Sequence, residues 1–300
     1  MKYQTTLSSI AVPSLLISIA ILCYLTISNN WNFEITSYLI FLFTLIYILI
    51  LERVIPLKHE WKPKKNVLWI DLKHFILSVA LFDALGKMFA VSIVLYIQEN
   101  FFITLDICEK TPFIIVFIIA NVVGEFIPYV YHRISHKGNK NSFLSLFLWK
   151  IHAIHHLPTS LNWLKTNWIH PINMFLNVVF KMIPLLMLGF SEQIIFLASV
   201  LHIVVAYISH ANIQTKKSFW DYIIVTPQIH HFHHSKKMEE AKNFGNILPF
   251  WDLLFGTYYN RKGTVEKVGV LEDYNSNYPN KKEYIKQLTF PLTTSKNCCR

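Results

Sequence analysis

The chain alternates long apolar stretches with shorter polar ones, and this pattern predicts membrane-spanning helices. A helix needs about 20 apolar residues to cross the hydrocarbon core of a bilayer. Six stretches approach this length: Leu7–Ile27, Ile35–Leu51, Phe75–Ile97, Pro112–Tyr131, Ile172–Phe190 and Ile194–Ile208. The first is longer than the apolar part of a cleaved signal peptide, so we interpret it as a retained span. The last two predict a tight hairpin, and the fold class is an all-α, polytopic membrane helical bundle of about six spans.

Composition supports this prediction. Hydrophobic residues make up 53% of the 300 residues and charged residues only 15%, against roughly 25% charged residues in soluble domains. A disordered chain is excluded, and a soluble globule would have too little charge to cover its surface. The net charge of +10 is typical of proteins that bind nucleic acid or an anionic membrane. With this much apolar sequence we expect the membrane and no nucleic-acid partner. The four cysteines form no CxxC motif and predict no disulfide framework.

Positive charge predicts the orientation of the bundle. The connections after the second and fourth predicted spans, and the region after the sixth, are rich in Lys and Arg. The opposite connections contain mainly acidic residues, namely Glu34, Glu99, Asp106 and Glu109. Because Lys and Arg are enriched in cytoplasmic loops, we expect both termini inside (N-in/C-in) and a cytosolic helical cap.

Few ionisable residues fall inside the predicted spans. Asp83 and Lys87 are four residues apart, share a helix face and can form an ion pair, which we favour over a functional role. Glu125 lies seven residues before a histidine motif and could orient a ligand. Three tryptophans suit the membrane interface, namely Trp149, Trp163 and Trp168.

Histidine placement gives the strongest chemical signal. Twelve of the fourteen histidines lie between His132 and His234, and all of them except His202 lie in segments predicted to be cytosolic or at the cytosolic ends of spans. Three clusters have ligand-type spacing: His132/His136, His152/His155/His156 and His230/His233/His234. Offsets of three and four residues place side chains on one face of a helix. The repeated spacing favours a metal site over a chance pattern or a pH-sensing surface.

Eight motif histidines exceed what one ion can bind, so we predict two metal ions. His210 and His170 are further candidate ligands. His231 should point away from its neighbours, because consecutive helical residues differ by about 100°. His202 lies in the middle of a span and fits a packed core position, and His59 and His74 read as ordinary juxtamembrane residues.

The donor atoms alone leave the metal open. Imidazole suits iron, zinc and copper, but no cysteine lies near these clusters and no His-Glu-x-x-His motif is present. We favour redox-active iron, because two adjacent ions at a lipid boundary could activate dioxygen beside an alkyl chain. Two alternatives remain, a zinc-dependent membrane lipid hydrolase and a histidine-rich membrane metal carrier. The carrier should line several spans with polar residues, which are scarce here.

The motifs between Glu125 and Tyr258 together resemble a known family. They are Tyr131-His132-Arg133-x-x-His136, Trp149-Lys150-x-His152-x-x-His155-His156, Ile169-His170-Pro171, Ser209-His210-Ala211-Asn212, Thr226-Pro227-x-x-His230-x-x-His233-His234, Asn243-Phe244-Gly245-Asn246 and Trp251-Asp252-x-x-Phe255-Gly256-Thr257-Tyr258. In order and spacing they are similar to those of the sterol desaturase / fatty acid hydroxylase superfamily, whose members are membrane di-iron oxidases.

The resemblance implies a membrane enzyme that hydroxylates or desaturates an unactivated C–H bond of a sterol, fatty acid, carotenoid or alkylglycerol. It implies a catalytic di-iron cluster, in which zinc can replace iron on overexpression. It also implies dioxygen and an electron donor such as cytochrome b5 or ferredoxin with a reductase. The implied ligands are His132, His136, His152, His155, His156, His170, His210, His230, His233 and His234. Glu125, Asn212, Asn243 and Asp252 are expected to support them.

These expectations divide the chain into three regions. Residues 1–124 form an N-terminal transmembrane region, residues 125–260 a catalytic region with a transmembrane hairpin at 172–208, and residues 261–300 a polar cytosolic tail. The active site is expected on the cytosolic side of a bacterial inner membrane or the endoplasmic reticulum.

Overall fold

The computed structural model describes residues 2–101, 111–270 and 278–294. Within them the chain is helical, with two isolated bridges in place of any strand. The helices are α1 (Lys2–Ser28), α2 (Phe33–Val54), α3 (Lys65–His74), α4 (Asp83–Phe101), α5 (Phe113–Ser135), α6 (Phe143–His156), α7 (Pro171–Met187), α8 (Glu192–His210), α9 (Pro227–His233), α10 (Phe250–Leu254) and α11 (Tyr284–Thr289). The predicted all-α class is confirmed. Asp106, Cys108, Glu109 and the pair Cys298–Cys299 lie outside the described residues.

Five helical segments of the described residues are long and apolar enough to cross a membrane: Thr6–Ser28, Phe33–Val54, Lys65–Phe101, Phe113–Ser135 and Glu192–His210. They correspond to five of the six predicted spans. The remaining one is α7, an apolar helix of 17 residues. At 1.5 Å per residue it is about 25 Å long, somewhat short of the hydrocarbon thickness. A short turn with Gly189 at positive φ joins α7 to α8.

The third predicted span begins earlier than the apolar pattern indicated. Its helix starts at Lys65, passes through a π-helical segment at Phe75–Phe82 and continues as α4. The Ser78 hydroxyl and His74 Nδ1 both donate to the carbonyl oxygen of Ile169, at 2.6 and 3.1 Å. The π-helical segment therefore faces the connection between α6 and α7.

Three sets of helix contacts build the bundle. α1 and α2 pack against α8 around a core that contains Leu15, Ile48 and Val204. α4 packs against α7, and α7 also contacts α5. Apolar side chains such as Tyr24 and Ile17 point outward, as expected for helices that face lipid.

Charged and aromatic residues of the predicted spans have specific partners. Asp83 and Lys87 form the expected ion pair, with 2.7 Å between Oδ2 and Nζ. The interface prediction for Trp149 and Trp168 is wrong, because both side chains are only 1% exposed. They are packed inside the cap, where Trp149 Nε1 donates to the Tyr278 hydroxyl at 3.2 Å.

The C-terminal tail packs on the rest of the protein. It forms α11, and Phe290 is buried in a cluster with Trp149 and Ile154. The Lys150 ammonium donates to the carbonyl oxygen of Thr293 at 2.5 Å. The described part of the predicted polar tail is therefore packed against α6, and it is irregular except for the short helices Tyr284–Thr289 and Phe290–Leu292.

Candidate metal centre

Nine of the ten predicted ligand histidines lie together in two buried groups. Within each group the candidate ligand atoms are all within 4.8 Å of one another. We call them group 1, with His132, His136, His152, His156 and His233, and group 2, with His155, His210, His230 and His234. The groups adjoin, because the ring centroids of His156 and His234 are 4.5 Å apart.

Four helices deliver the histidines. The last turn and C-terminus of α5 provide His132 and His136, and the last residue of α8 is His210. α6 carries three, and its start is fixed by the Ser142 hydroxyl, which accepts the backbone N–H of Ser145. α9 begins with Pro227 at its first position, where a missing N–H costs nothing. It carries His230 and His233, and His234 follows as its C-cap.

The two His-x-x-His-His motifs serve the groups in opposite ways. In α6, His152 and His156 belong to group 1 and His155 to group 2. In α9, His230 and His234 belong to group 2 and His233 to group 1. Each motif therefore spans both groups and holds them at a fixed separation.

The Nε2 atoms converge within each group. In group 1, His152 Nε2 lies 3.0 Å from His132 Nε2, 2.9 Å from His136 Nε2 and 3.0 Å from His156 Nε2. In group 2, His210 Nε2 lies 3.1 Å from His155 Nε2 and 3.0 Å from His230 Nε2, and the His230 and His234 Nε2 atoms are 3.2 Å apart.

Backbone carbonyls orient four of the rings. The partners of the Nδ1 atoms are Phe244 O for His132 at 2.7 Å, Lys242 O for His233 at 2.8 Å, Trp168 O for His155 at 3.0 Å and Ala206 O for His210 at 2.8 Å. Because a carbonyl oxygen only accepts, Nδ1 carries the proton and Nε2 presents its lone pair.

Burial keeps these imidazoles neutral. It lowers the pKa of His155 to about 4. It also lowers the pKa values of His156, His230 and His234 well below their ordinary range, with help from neighbouring imidazoles. Neutral imidazole is the form that binds a metal.

The donor set fits metal ions. Four of the rings have their proton on Nδ1 and therefore present a lone pair at Nε2. Within each group these lone pairs face other imidazole nitrogens at about hydrogen-bond distance. Facing lone pairs repel unless a cation lies between them, and burial disfavours a proton in that position. Two adjoining all-imidazole sites therefore suit two transition-metal ions.

The loop 243–248 is the main support of the group 1 histidines. The Asp252 carboxylate accepts the N–H groups of Phe244 and Gly245 at 2.8 and 2.7 Å. The Glu125 carboxylate accepts the N–H groups of Ile247 and Leu248. Both acids thus act on the loop whose Phe244 carbonyl binds His132, and neither contacts an imidazole ring.

Asn243 and Asn212 also hold backbone segments. Asn243 has φ +59°, and its amide donates to Ile229 O at 2.9 Å and to Tyr259 O at 2.8 Å. The Asn212 amide donates to Lys58 O at 2.8 Å, and its backbone N–H donates to the Glu52 carboxylate at 2.9 Å. These contacts tie α8 and α9 to neighbouring segments.

Other histidines lie outside both groups. His170 Nδ1 accepts the N–H of Ile172 at 3.2 Å, and His170 Nε2 donates to the carbonyl oxygen of Leu288 at 3.1 Å. His231 points to the Ala211 carbonyl at 3.1 Å, as helical rotation predicts. His74 is fully buried against Gln287 and Trp168, so the juxtamembrane interpretation of His74 is wrong.

Sequence reasoning missed a buried ion pair near group 2. Lys165 Nζ lies 2.5 Å from an oxygen of Asp71, and both side chains are at most 6% exposed. The same ammonium lies 4.4 Å from the Trp168 ring, whose carbonyl oxygen accepts His155 Nδ1–H. The pair joins α3 to the connection that orients His155. Its 94-residue separation in sequence gave no signal.

Polar side chains of the apolar helices also surround a small cavity. Lys181 and His202 line a small cavity with Glu125 and Asn121. Its volume is about 10 Å³, room for about one water. Lys181 donates to the Ala198 carbonyl oxygen at 3.1 Å. Such a small cavity is not an ion path, which argues against a carrier.

A large apolar groove lies between α1, α5 and α8. Its volume is about 930 Å³, within the usual range of small-molecule sites. Apolar side chains such as Leu16, Phe117 and Val200 line most of it. Leu248, which belongs to the loop that contacts His132, is among its lining residues.

Membrane-length apolar helices and two adjoining groups of buried imidazoles define a helical membrane protein with a histidine-built metal-binding site. Residues 117–257 match the family model described as fatty acid hydroxylase, and this region contains every histidine of both groups. The chain therefore contains a fatty acid hydroxylase domain, as the motifs from Glu125 to Tyr258 predicted.

A similar protein agrees with this assignment. The ornithine lipid hydroxylase OlsE of Rhizobium tropici is 26% identical over 270 residues, which cover 87% of this chain and 80% of OlsE. No solved structure matches the chain. The chain is therefore an oxidoreductase of the lipid hydroxylase class, which confirms the predicted enzyme class.

Proposed function

We propose that the protein is a membrane-bound di-iron oxygenase that hydroxylates an unactivated C–H bond of a membrane lipid. The observation that supports this most is the convergence of imidazole nitrogens in two adjoining, buried groups. The family match and the lipid hydroxylase relative support the same reaction class.

Groups 1 and 2 would each hold one iron through Nε2 atoms. When bound, reduced iron supplies the dioxygen activation that a saturated carbon requires. The chain's own contribution is to keep the rings neutral, dry and oriented. Burial excludes water, and the carbonyl oxygens of Phe244, Lys242 and Trp168 fix the ring orientations.

The reaction balances with two electrons and two protons. One oxygen atom of dioxygen enters the C–H bond, and the other leaves as water. The electrons come from a reduced one-electron carrier protein, such as a cytochrome b5 or a ferredoxin with its reductase. A second hydrogen abstraction, which would give an alkene, is the alternative outcome.

The apolar groove between α1, α5 and α8 is our candidate site for a lipid chain. It is lined almost entirely by apolar side chains, and Leu248 of the loop that contacts His132 is one of them. Since a relative is named as an ornithine lipid hydroxylase, ornithine lipids are the first substrate class to test. Sterols, fatty acids, carotenoids and alkylglycerols are the others.

We also propose that residues 125–260 form the catalytic unit, in a bacterial inner membrane or the endoplasmic reticulum, with the active site on the cytosolic side. Its predicted start at Glu125 falls inside α5. The preceding region supports the unit directly, because Glu52 of α2 accepts the N–H groups of Trp163 and Asn212.

The decisive experiment combines metal analysis with turnover. Protein purified without oxygen should contain two irons per chain and, with reductant and dioxygen, should add one oxygen atom to a lipid detected by mass spectrometry. Zinc alone after such handling, together with lipid hydrolysis, would support the hydrolase instead.

Ligand variants test the site itself. His155→Ala and His233→Ala should each lower metal content and abolish turnover, since each removes a nitrogen from one group. His59→Ala is the matched control, because this exposed histidine lies outside both groups. Unchanged metal content and turnover in the two ligand variants would refute the assignment.

A further inference from the structure

A lysine-rich pocket lies beside group 2, on the face formed by the connections that follow α2, α6 and α9 and precede α11. Its volume is about 480 Å³. Eight of its lining residues are lysines and two are glutamates. The eight lysines are Lys58, Lys62, Lys64, Lys165, Lys236, Lys267, Lys281 and Lys282.

Among the described residues, lysines outnumber acids at this pocket: two glutamates, Glu60 and Glu266, line it, and Asp71 pairs with Lys165. Glu266 pairs with Lys237, which is not among the lining residues. Lys281 donates to the Thr159 hydroxyl at 2.6 Å, a neutral partner. Burial and the nearby Lys236, Lys165 and Lys64 lower the pKa of Lys281 to about 8. The pocket therefore suits an anionic ligand or surface.

The pocket is one residue away from a candidate metal ligand. Trp168 lines it, and the Trp168 carbonyl oxygen accepts His155 Nδ1–H at 3.0 Å. Lys165 lies over the same indole ring at 4.4 Å. An electron that arrives at this pocket would pass through Trp168 to His155, which is itself a member of group 2.

We propose that the lysine-rich pocket is the docking site of a small acidic electron-carrier protein, which delivers electrons through Trp168 to His155. This inference rests on the proposed function, because only a redox centre needs such a donor. Each encounter transfers one electron from the reduced carrier, so two encounters supply one turnover.

The arrangement of charges suits transient docking. Electron-transfer encounters use small interfaces, which depend on electrostatic steering. Exposed lysines such as Lys62, Lys64 and Lys282 surround the concavity, so the carrier's acidic surface can approach quickly and leave after transfer. An anionic lipid surface would bind the same lysines. It would not explain why the pocket is lined by Trp168, whose carbonyl oxygen orients His155.

Direct binding tests the proposal without requiring iron. The full chain, in neutral nanodiscs, is titrated with two probes, a plant-type [2Fe–2S] ferredoxin and the soluble haem domain of cytochrome b5. Lys62→Glu/Lys282→Glu should weaken binding of at least one probe by tenfold or more at low salt. High salt should remove the difference, because it screens exposed charges.

A matched variant controls for net charge. Lys140→Glu/Lys216→Glu changes the charge equally at exposed positions outside the pocket, and it should bind both probes like the parent chain. Equal weakening by the two double variants, or no weakening by the first, would overturn the docking site. Loss of binding to phosphatidylglycerol vesicles alone would also overturn it, in favour of a lipid surface.

Turnover separates this inference from the proposed function. With dithionite as a small reductant, Lys62→Glu/Lys282→Glu should hydroxylate lipid at the parent rate, and with the carrier it should be at least tenfold slower at low salt. Equal carrier-driven rates would refute the docking site alone. No hydroxylation by the iron-loaded parent chain with any reductant would refute the proposed function.

Discussion

At the scale of single residues, the site depends on groups that orient the imidazoles without being candidate metal ligands themselves. Asp252 illustrates this, since one carboxylate holds the Phe244 and Gly245 N–H groups and the Thr257 hydroxyl. Gly245 is required there, because a Cβ would collide with the Leu248 carbonyl oxygen. The Phe244 carbonyl then orients His132.

Asp252→Asn should therefore destabilise the protein. The new amide NH₂ would face an N–H donor, and an unsatisfied buried polar group costs about 1–3 kcal/mol. Denaturation of the detergent-solubilised protein and metal content measure the two consequences. Thr257→Val, which removes only the hydroxyl's bonds, should cost about 1 kcal/mol. Equal stability of Asp252→Asn and the parent chain would contradict this role of the loop.

Buried neutral histidines also predict a pH dependence. The pKa of His155 falls from its ordinary 6.5 to about 4, and burial lowers that of His231 to about 3. Between pH 6.5 and 4 the unfolded chain binds protons that the folded chain does not, so acid favours unfolding. The raised pKa of Asp252, about 6, has the opposite sign, but burial also lowers the pKa values of His156, His230 and His234.

The metal-free protein should therefore lose stability as the pH falls from 6.5 towards 4. Each proton taken up on unfolding contributes about 1.4 kcal/mol per pH unit. Urea midpoints measured across this range test the slope. His231→Phe should reduce the slope by about one proton, since it removes one such group. A flat profile would contradict neutral, buried imidazoles.

At the scale of secondary-structure elements, the positions of the connections depend on long-range polar contacts. The ion pair of Asp71 and Lys165 ties α3 to the turn before α7. Hydrogen bonds from His74 and Ser78 to the Ile169 carbonyl oxygen reinforce that contact. Together they place the Trp168 carbonyl against His155.

Removing one partner of the Asp71–Lys165 ion pair should lower the free energy of unfolding. Lys165→Met leaves a buried carboxylate without its partner, which typically costs about 3–5 kcal/mol. The double variant Asp71→Leu/Lys165→Met should recover much of this loss, because no unpaired charge remains. Chemical denaturation of both single variants and the double variant gives the coupling energy. Additive losses would show that the pair does not act as a unit.

At the scale of the whole molecule, the fold gathers segments that are far apart in sequence around one centre. Group 2 combines His155, His210 and His230, which come from three different helices. The N-terminal helices brace this arrangement, since Glu52 binds the backbone beside α8. The orientation of the bundle in the membrane then decides which side the site faces.

The excess of Lys and Arg in alternate connections predicts that this side is cytosolic. Single cysteines placed at Asn30, Lys140 and Lys216 in a cysteine-free background test it, because all three side chains are exposed. Reagents that do not cross the membrane should label position 30 from outside intact cells, and positions 140 and 216 only after permeabilisation. The reverse pattern would overturn the predicted orientation.

The sequence by itself determined the helical membrane class, the family and the histidines to consider. The length of an apolar stretch indicates a membrane span, and the spacing of residues indicates which side chains share a helix face. Both features can be recognised from a short segment of sequence. The same local reading misplaced Trp149, Trp168 and His74, because burial inside a cap depends on neighbours distant in sequence.

Only the tertiary structure decided how the histidines divide. Spacing cannot show that His155 leaves its neighbours for group 2 while His233 joins group 1, since that depends on how α6 and α9 cross. It also cannot reveal the orienting groups at Phe244, Lys242 and Trp168, because these are backbone carbonyls that every residue type possesses. The sequence specifies the chemistry of each side chain, whereas the packed fold determines the direction from which each imidazole nitrogen approaches the site.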